Sequence, residues 1–324
     1  MIVVTGGAGF IGSAIIWALN ERGIDDILVV DNLAASDKWK NLVNRRYLGY
    51  LHRDEFMDLV LKNSLPRKPK AIIHMGACSA TTERDADFLM RNNVRYSQDL
   101  CRYALKVGAR FIHASSAATY GNGDQGFSDD LGVTRRLRPL NMYGYSKHLF
   151  DLWAMRENLL GRIASLKFFN LYGPNEYHKG AMRSVVAKAF AEIKAHGRIS
   201  LFKSDRPHCA DGEQRRDFVY VKDCAAVVAW LLDNPASNGL FNVGTGKAAS
   251  FNDLARAVFA ALNLPEAIDY IDMPAELSGK YQYFTQADMG ALQAAGYSVA
   301  GMHDLKNGVA DYVRNYLDAP DMYL

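Results

Sequence analysis

Ile2-Val3-Val4-Thr5, a short apolar run, passes without a break into Gly6-Gly7-Ala8-Gly9-Phe10-Ile11-Gly12, and the segment that follows has the length of a helix. Glycines at 6, 9 and 12 allow a backbone to turn tightly, to approach a pyrophosphate and to pack a helix on a sheet, while free amides at the helix start face the phosphates. A glycine pattern alone is weak. Asp31 strengthens it, because it closes the next apolar run, Ile27 to Val30, at the spacing of an acidic residue that contacts an adenosine ribose. Asp31 by itself favours NAD, since its charge opposes a 2'-phosphate. Asn32, Lys38 and Arg53 follow, and one or two cations there can offset the repulsion, so the choice between NAD and NADP stays open at this point.

Further β-rich runs, Ala71 to His74, Arg110 to Ala114 and Ser165 to Phe169, alternate with helical-length segments, Gly12 to Arg22, Ala86 to Val107 and Tyr145 to Asn158. This alternation predicts an α/β fold, a Rossmann-type doubly wound parallel sheet. After Gly173-Pro174 the texture becomes polar and glycine-punctuated, which predicts a smaller mixed α/β substrate lobe. The expected division is residues 1–171 for the dinucleotide and 172–324 mainly for substrate. Strand-like runs at Phe218 to Val221 and Gly239 to Gly244 suggest that the chain returns to the first lobe at about 217–245.

A formal charge of +3, with acids and bases interspersed, leaves no basic stripe for nucleic acid. The first residues lack a charged leader, and no apolar run reaches spanning length, so a cytoplasmic protein without a membrane partner is expected. Cysteines at 78, 101, 209 and 224 show neither metal-ligand nor disulfide-framework spacing, and no metal is expected.

Tyr143-Gly144-Tyr145-Ser146-Lys147 sets Tyr143 and Lys147 four apart, on one face of a helix that begins here. A phenol titrates at about 10 in water, and a fixed ammonium beside a cationic nicotinamide should lower that value. Tyr143 could then take a hydroxyl proton as the adjacent carbon is oxidised. The run Ala114-Ser115-Ser116-Ala117-Ala118-Thr119-Tyr120-Gly121 supplies hydroxyls at the carboxyl edge of the sheet, where Ser116 can hold a substrate oxygen.

In this order, the glycine turn, Ser116, Tyr143 and Lys147 resemble the extended short-chain dehydrogenase/reductases that act on nucleotide sugars, over nearly the whole chain. Asn170-Leu171-Tyr172-Gly173-Pro174 and Arg216-Asp217-Phe218-Val219-Tyr220-Val221 are typical of that group. His74-Met75-Gly76-Ala77-Cys78-Ser79, Thr81-Thr82-Glu83, His178-Lys179-Gly180 and Tyr281-Gln282-Tyr283-Phe284-Thr285-Gln286-Ala287-Asp288 are similar to its branch of epimerases that invert C6 of an ADP-linked manno-heptose for lipopolysaccharide.

The resemblance implies NADP, with NAD possible, held by Gly6, Gly9, Phe10, Ile11, Gly12, Asp31, Asn32, Lys38, Arg53, Met75, Gly76, Ala77, Cys78, Ser79, Asn92, Tyr143, Lys147, Leu171 and Lys179. It implies an ADP-heptose substrate contacted by Ser116, Asn170, Ala181, Lys188, Phe202, Lys203, Ser204, Arg216 and Tyr281. Tyr143, Lys179, Ser116 and Lys147 would be the catalytic set, in a homo-oligomer, pentameric by resemblance. Two departures stand out: Ala181 replaces a frequent serine, and 204–215 is longer than usual.

Inversion of a carbinol outside the ring needs transient oxidation and a proton-transfer group for each orientation of the ketone. Tyr143 is the first. Lys179 is either the second or a diphosphate contact, and His178 and the cofactor ring are the groups expected to lower its pKa. A 4,6-dehydratase would carry an acidic pair where Ala117 and Ala118 stand. A UDP-hexose 4-epimerase and a non-enzymatic dinucleotide sensor remain as alternatives, the latter disfavoured by the retained tyrosine and lysine.

Overall fold

A computed structural model describes residues 1–274 and 281–324. Six strands, β1 (Ile2–Thr5), β2 (Ile27–Asp31), β3 (Gly49–His52), β4 (Ala71–His74), β5 (Arg110–Ser116) and β6 (Ala164–Phe168), form a parallel sheet with Gly239–Val243 as its seventh strand. The spatial order is Gly239–Val243, β6, β5, β4, β1, β2, β3. Strands covered on both faces need apolar residues at consecutive positions, not alternate ones. β1 and β4 obey this: Val3, Val4, Ile72 and Ile73 are fully buried. This is a Rossmann-like doubly wound fold, and its direction of winding reverses between β1 and β4, where a crevice opens at the carboxyl ends.

Helix α1 (Phe10–Glu21) buries Ile15, Ile16 and Leu19 and packs against the helix Val221–Asp233. Gly239–Val243 follows that helix and adds itself to the large sheet beside β6. Phe218–Tyr220 does not join the large sheet. It pairs in parallel with Asn170–Tyr172 and makes a separate two-stranded piece. Ile199–Phe202 pairs with Ile268–Ile271, and Arg215–Arg216 with Ala249–Ser250, so the second lobe is built on short ladders.

Three local expectations need correction. The segment Ala86 to Val107 is not one regular α-helix: Ala86–Leu89 and Tyr96–Val107 flank a π-turn at Met90–Arg95. The expected strand Ser165 to Phe169 begins and ends one residue earlier, and the edge strand β3 had no apolar run to announce it. The helix carrying Tyr143 starts at Met142, because the Asn141 side chain accepts from the Gly144 amide at 2.8 Å.

Candidate active site

Gly6 and Gly76, at the ends of β1 and β4, meet across the crevice. A Cβ on Gly6, where φ is +65°, would lie 2.6 Å from Gly76 N, and one on Gly12 would lie 2.1 Å from Gly6 O. Side chains are thus excluded at positions 6 and 12 by backbone alone. The turn is tied down by Gly7 N to Val30 O and Gly9 N to Gly6 O, which leaves the first-turn amides of α1 without intrahelical acceptors. They open into a cleft of about 700 Å³ lined by Gly6, Gly9, Phe10, Ile11, Gly12, Asp31, Lys38, the wall Met75 to Ser79, Ser116, Tyr143, Lys147, Asn170, Leu171 and Lys179. A smaller side cavity of about 180 Å³ adds Asn32, Arg53 and Asn92.

Asp31 is buried and fully engaged. One oxygen accepts from Ala8 N at 2.9 Å; the other accepts from Asn32 N and Lys38 Nζ, both at 2.7 Å. The charge that opposes a 2'-phosphate is therefore offset by an ammonium in contact with it. Beside it, the Arg53 guanidinium donates to Asn92 Oδ1 and stacks 5.4 Å from the Tyr96 ring.

Lys147 is buried and donates to Ala114 O at 2.8 Å. Burial pulls its ammonium down to about 8, against an upward push from Asp151 one turn along. Asp151 is itself held by the hydroxyls of Ser115 and Ser165 at 2.6 and 3.0 Å. Tyr143 hydrogen-bonds to Ser116, which favours phenolate, yet burial dominates and raises the phenol above its ordinary value. The lowering expected from Lys147 is thus outweighed by burial in the protein alone.

Lys179 lies in the turn Tyr177–Met182, its Nζ 5.1 Å above the Phe10 ring of the glycine turn. Burial lowers its pKa first, Lys188 lowers it further and Glu176 raises it. His178 does not supply the expected positive neighbour. It is pulled down to about 4 by burial and by Lys38 and Lys179, and is neutral near pH 7.

The outer residues are less convergent. Arg216 is buried and stacks between Tyr281 and Phe251, at 5.1 and 5.7 Å, and Phe202 meets Tyr281 edge to face. Phe251 reaches the cleft wall. Phe202, Arg216 and Tyr281 do not themselves line the cleft, and Ala181, Lys188, Lys203 and Ser204 also lie outside the lining: Ala181 and Lys188 are exposed, Lys203 pairs with Asp272 at 2.9 Å, and the Ser204 amide donates to Asp211.

Two residues escaped the sequence reading. Asn93 fills all four side-chain hydrogen-bond positions: its carbonyl oxygen accepts from Cys78 N and Asn92 Nδ2, and its amide donates to Cys78 O and Ser146 Oγ. Ser146 in turn donates to Tyr143 O at 2.7 Å, so Asn93 links the wall Met75 to Ser79 with the tyrosine helix. Asn93 and Ser97 fall on the buried stripe with Leu89, Cys101 and Ala104, and polar residues there were the available signal. Asn41, the second, gave no such signal. Among the described residues no cluster of three His, Cys, Asp or Glu could hold a metal, and no helix is long and apolar enough to cross a membrane.

The NAD dependent epimerase/dehydratase family matches residues 2–244. An ADP-L-glycero-D-manno-heptose-6-epimerase of Nitratidesulfovibrio vulgaris strain Hildenborough is 64% identical over the full length of both chains. A protein of the same name from Fusobacterium nucleatum is 48% identical, again over all of both. Among solved structures, the ADP-L-glycero-D-manno-heptose-6-epimerase of Helicobacter pylori superposes with a TM-score of 0.80 at 27% identity, covering 97% of this chain and 95% of the other.

Proposed function

Because the chain belongs to the NAD dependent epimerase/dehydratase family, and its similarity to heptose epimerases runs from end to end, we infer that it converts ADP-D-glycero-β-D-manno-heptose to the L-glycero epimer at C6, for lipopolysaccharide. The carrying observation is the single cleft in which Ser116, Tyr143, Lys147 and Lys179 share space with the glycine turn.

The cleft fits a nicotinamide dinucleotide: the bare turn and free amides suit its diphosphate, and the wall Met75 to Ser79 suits its nicotinamide half. When bound, that group supplies reversible oxidation of the C6 carbinol. We assign it as NADP, because Lys38 offsets Asp31 and Arg53 and Asn32 line the adjoining cavity, a setting for a 2'-phosphate.

Tyr143 Oη takes the proton of the C6 hydroxyl on one face, with Ser116 Oγ holding the oxygen in register. Lys147 anchors the helix to the sheet through Ala114, and its ammonium, one turn along from Tyr143, favours the phenolate that takes this proton and becomes the phenol. After the exocyclic group turns, Lys179 gives a proton to the oxygen on the other face. Its lowered pKa suits it to that task. Arg216, Tyr281, Phe202 and Phe251 form an aromatic and cationic shelf for the ADP half. No carboxylate follows Ser116, where Ala117 and Ala118 stand, so elimination of water lacks its acid and base.

The reading also takes the protein as cytoplasmic and homo-oligomeric, a pentamer by resemblance. Trp39, Val43 and Leu48, exposed beside β3, support self-association, which light scattering would measure. The test of function is to incubate the protein with ADP-D-glycero-β-D-manno-heptose and follow C6 by proton NMR. Inversion is the expected result. An unchanged C6, with UDP-glucose and UDP-galactose interconverting, would replace this reading by a 4-epimerase.

A further inference from the structure

Asn41 is buried in the short turn Asp37–Leu42, and nothing in its sequence neighbourhood marks it. Its amide nitrogen lies 2.8 Å from Ala8 O, inside the glycine turn, 3.0 Å from Asn175 O and 3.2 Å from His178 Nδ1. Its two N–H hydrogens meet three partners, so one of them is shared between a carbonyl and the neutral His178 ring. Asn175 is also fully buried and adopts φ +74°, a left-handed conformation outside glycine's usual monopoly. Its side chain donates to Ser13 Oγ at 2.9 Å and accepts from Leu324 N at 3.0 Å. Ser13 donates back to Phe10 O at 3.2 Å, and Phe10 carries the ring beneath Lys179. On the far side, Tyr177 donates to Met322 O at 2.6 Å.

Through Asn41, Asn175 and Ser13 these bonds fasten the turn Tyr177–Met182 to the cofactor-binding turn, while Tyr177 with Met322 and Glu176 with Ser184 and Tyr312 hold it to the second lobe. We infer that Asn41, with Asn175, is a positioning residue that registers Lys179 against the glycine turn. The second proton-transfer group is thereby held in register with the turn that binds the dinucleotide. The inference deepens the assignment of Lys179 made above and rests on it for its catalytic meaning. The groups facing Lys179 are Glu176, Lys188 and His178, with Lys38 behind the histidine. Loss of the register should open Lys179 to water and weaken the burial that lowers its pKa.

The test is Asn41→Ala beside Asn175→Gly. Glycine keeps the positive φ at 175 and removes only the side-chain bonds, so this variant serves if Asn41→Ala does not fold. Lysines are reductively methylated with ¹³C and titrated by NMR, the Lys179 signal being identified by its loss in Lys179→Arg. The expected result is a Lys179 midpoint moved up toward that of an ordinary lysine. Epimerase kcat should fall about tenfold to a hundredfold, with NADP affinity and substrate KM within about twofold. An unmoved Lys179 midpoint in a folded variant would overturn the inference. So would a parallel fall in turnover, NADP affinity and melting temperature, the pattern of a purely structural residue. If Lys179→Arg or Lys179→Met turns over normally, the acid–base assignment fails, while the registration still stands or falls on the titration.

Discussion

Tyr143 and Lys179 reach one cleft from supports of opposite kinds. Tyr143 is the second residue of a 15-residue helix that is capped by Asn141, pinned through Lys147 to β5, and braced by Asn93. Lys179 sits in a six-residue turn whose backbone leaves helical geometry at Gly180, with φ 53° and ψ −123°. A helix is specified by near neighbours, through capping, periodicity and side chains four apart. The Lys179 turn is specified by Asn41, Asn175 and Glu176, of which Asn41 is distant in sequence. Glu176 shows the cost of such a support: it is buried, its pKa is raised by that burial, and it is sustained by Ser184 and the Tyr312 hydroxyl. The Tyr143 helix has its own cap and periodicity and is only braced from afar, whereas the Lys179 turn has no regular helix beneath it, so loss of one distant bond should displace Lys179 more than Tyr143.

The largest effect that bears on this contrast is expected at Tyr143. Tyr143→Phe removes only an oxygen from a side chain whose helix is fixed independently. The kcat should fall by about a thousandfold, within the range for a lost general acid–base group, with KM and melting temperature little changed. Near-normal turnover would dismiss the phenol from the chemistry. Lys179→Met should cost about a hundredfold in kcat. If it raises KM instead and spares kcat, Lys179 is a diphosphate contact, and the two residues are not a pair at all.

A smaller effect separates the two ends of the cofactor cleft. Arg53→Ala should weaken NADP binding about tenfold, the loss expected for one charge-assisted contact, and leave NAD binding nearly unchanged. Fluorescence titration with both dinucleotides measures it. Equal loss for both would place Arg53 outside the 2'-phosphate site.

The same contrast governs what was legible in the sequence. The glycine turn, Asp31 and the Tyr143–Lys147 pair could be read because each depends on spacing within one strand or helix, and the sheet followed from buried runs such as Val3-Val4 and Ile72-Ile73. β3 could not, since an edge strand carries little apolar signal. The π-turn at Met90–Arg95 was hidden because 3.6-residue periodicity continues on both sides of it. His178 was expected to be a cation, and its neutrality comes from burial and from Lys38, both of which only the folded chain provides, together with its sequence neighbour Lys179. Asn41 is the extreme case: its role depends on Ala8 and Asn175, which folding alone makes its neighbours.

The smallest effect is a pH dependence, and it tests the Tyr143 support from within. Lys147 titrates at about 8 in the folded protein, below its ordinary 10.5, because burial disfavours the ammonium. Catalysis needs that ammonium, so kcat should decline as pH rises through about 8. Stability should respond in the opposite sense. Between about 8 and 10.5 the unfolded chain holds more protons at this site than the folded one, so the Lys147 contribution makes folding more favourable as pH rises. Below about 8 both states are protonated and the full penalty of burying the charge applies. Comparing the protein with Lys147→Met by denaturant titration isolates this contribution from the other ionising groups. Asp151→Asn sharpens the point: removing the carboxylate that raises Lys147 should move the alkaline decline of kcat to lower pH. A decline that stays in place would mean that another group titrates there, and that the ammonium under the phenol is not what the helix is built to supply.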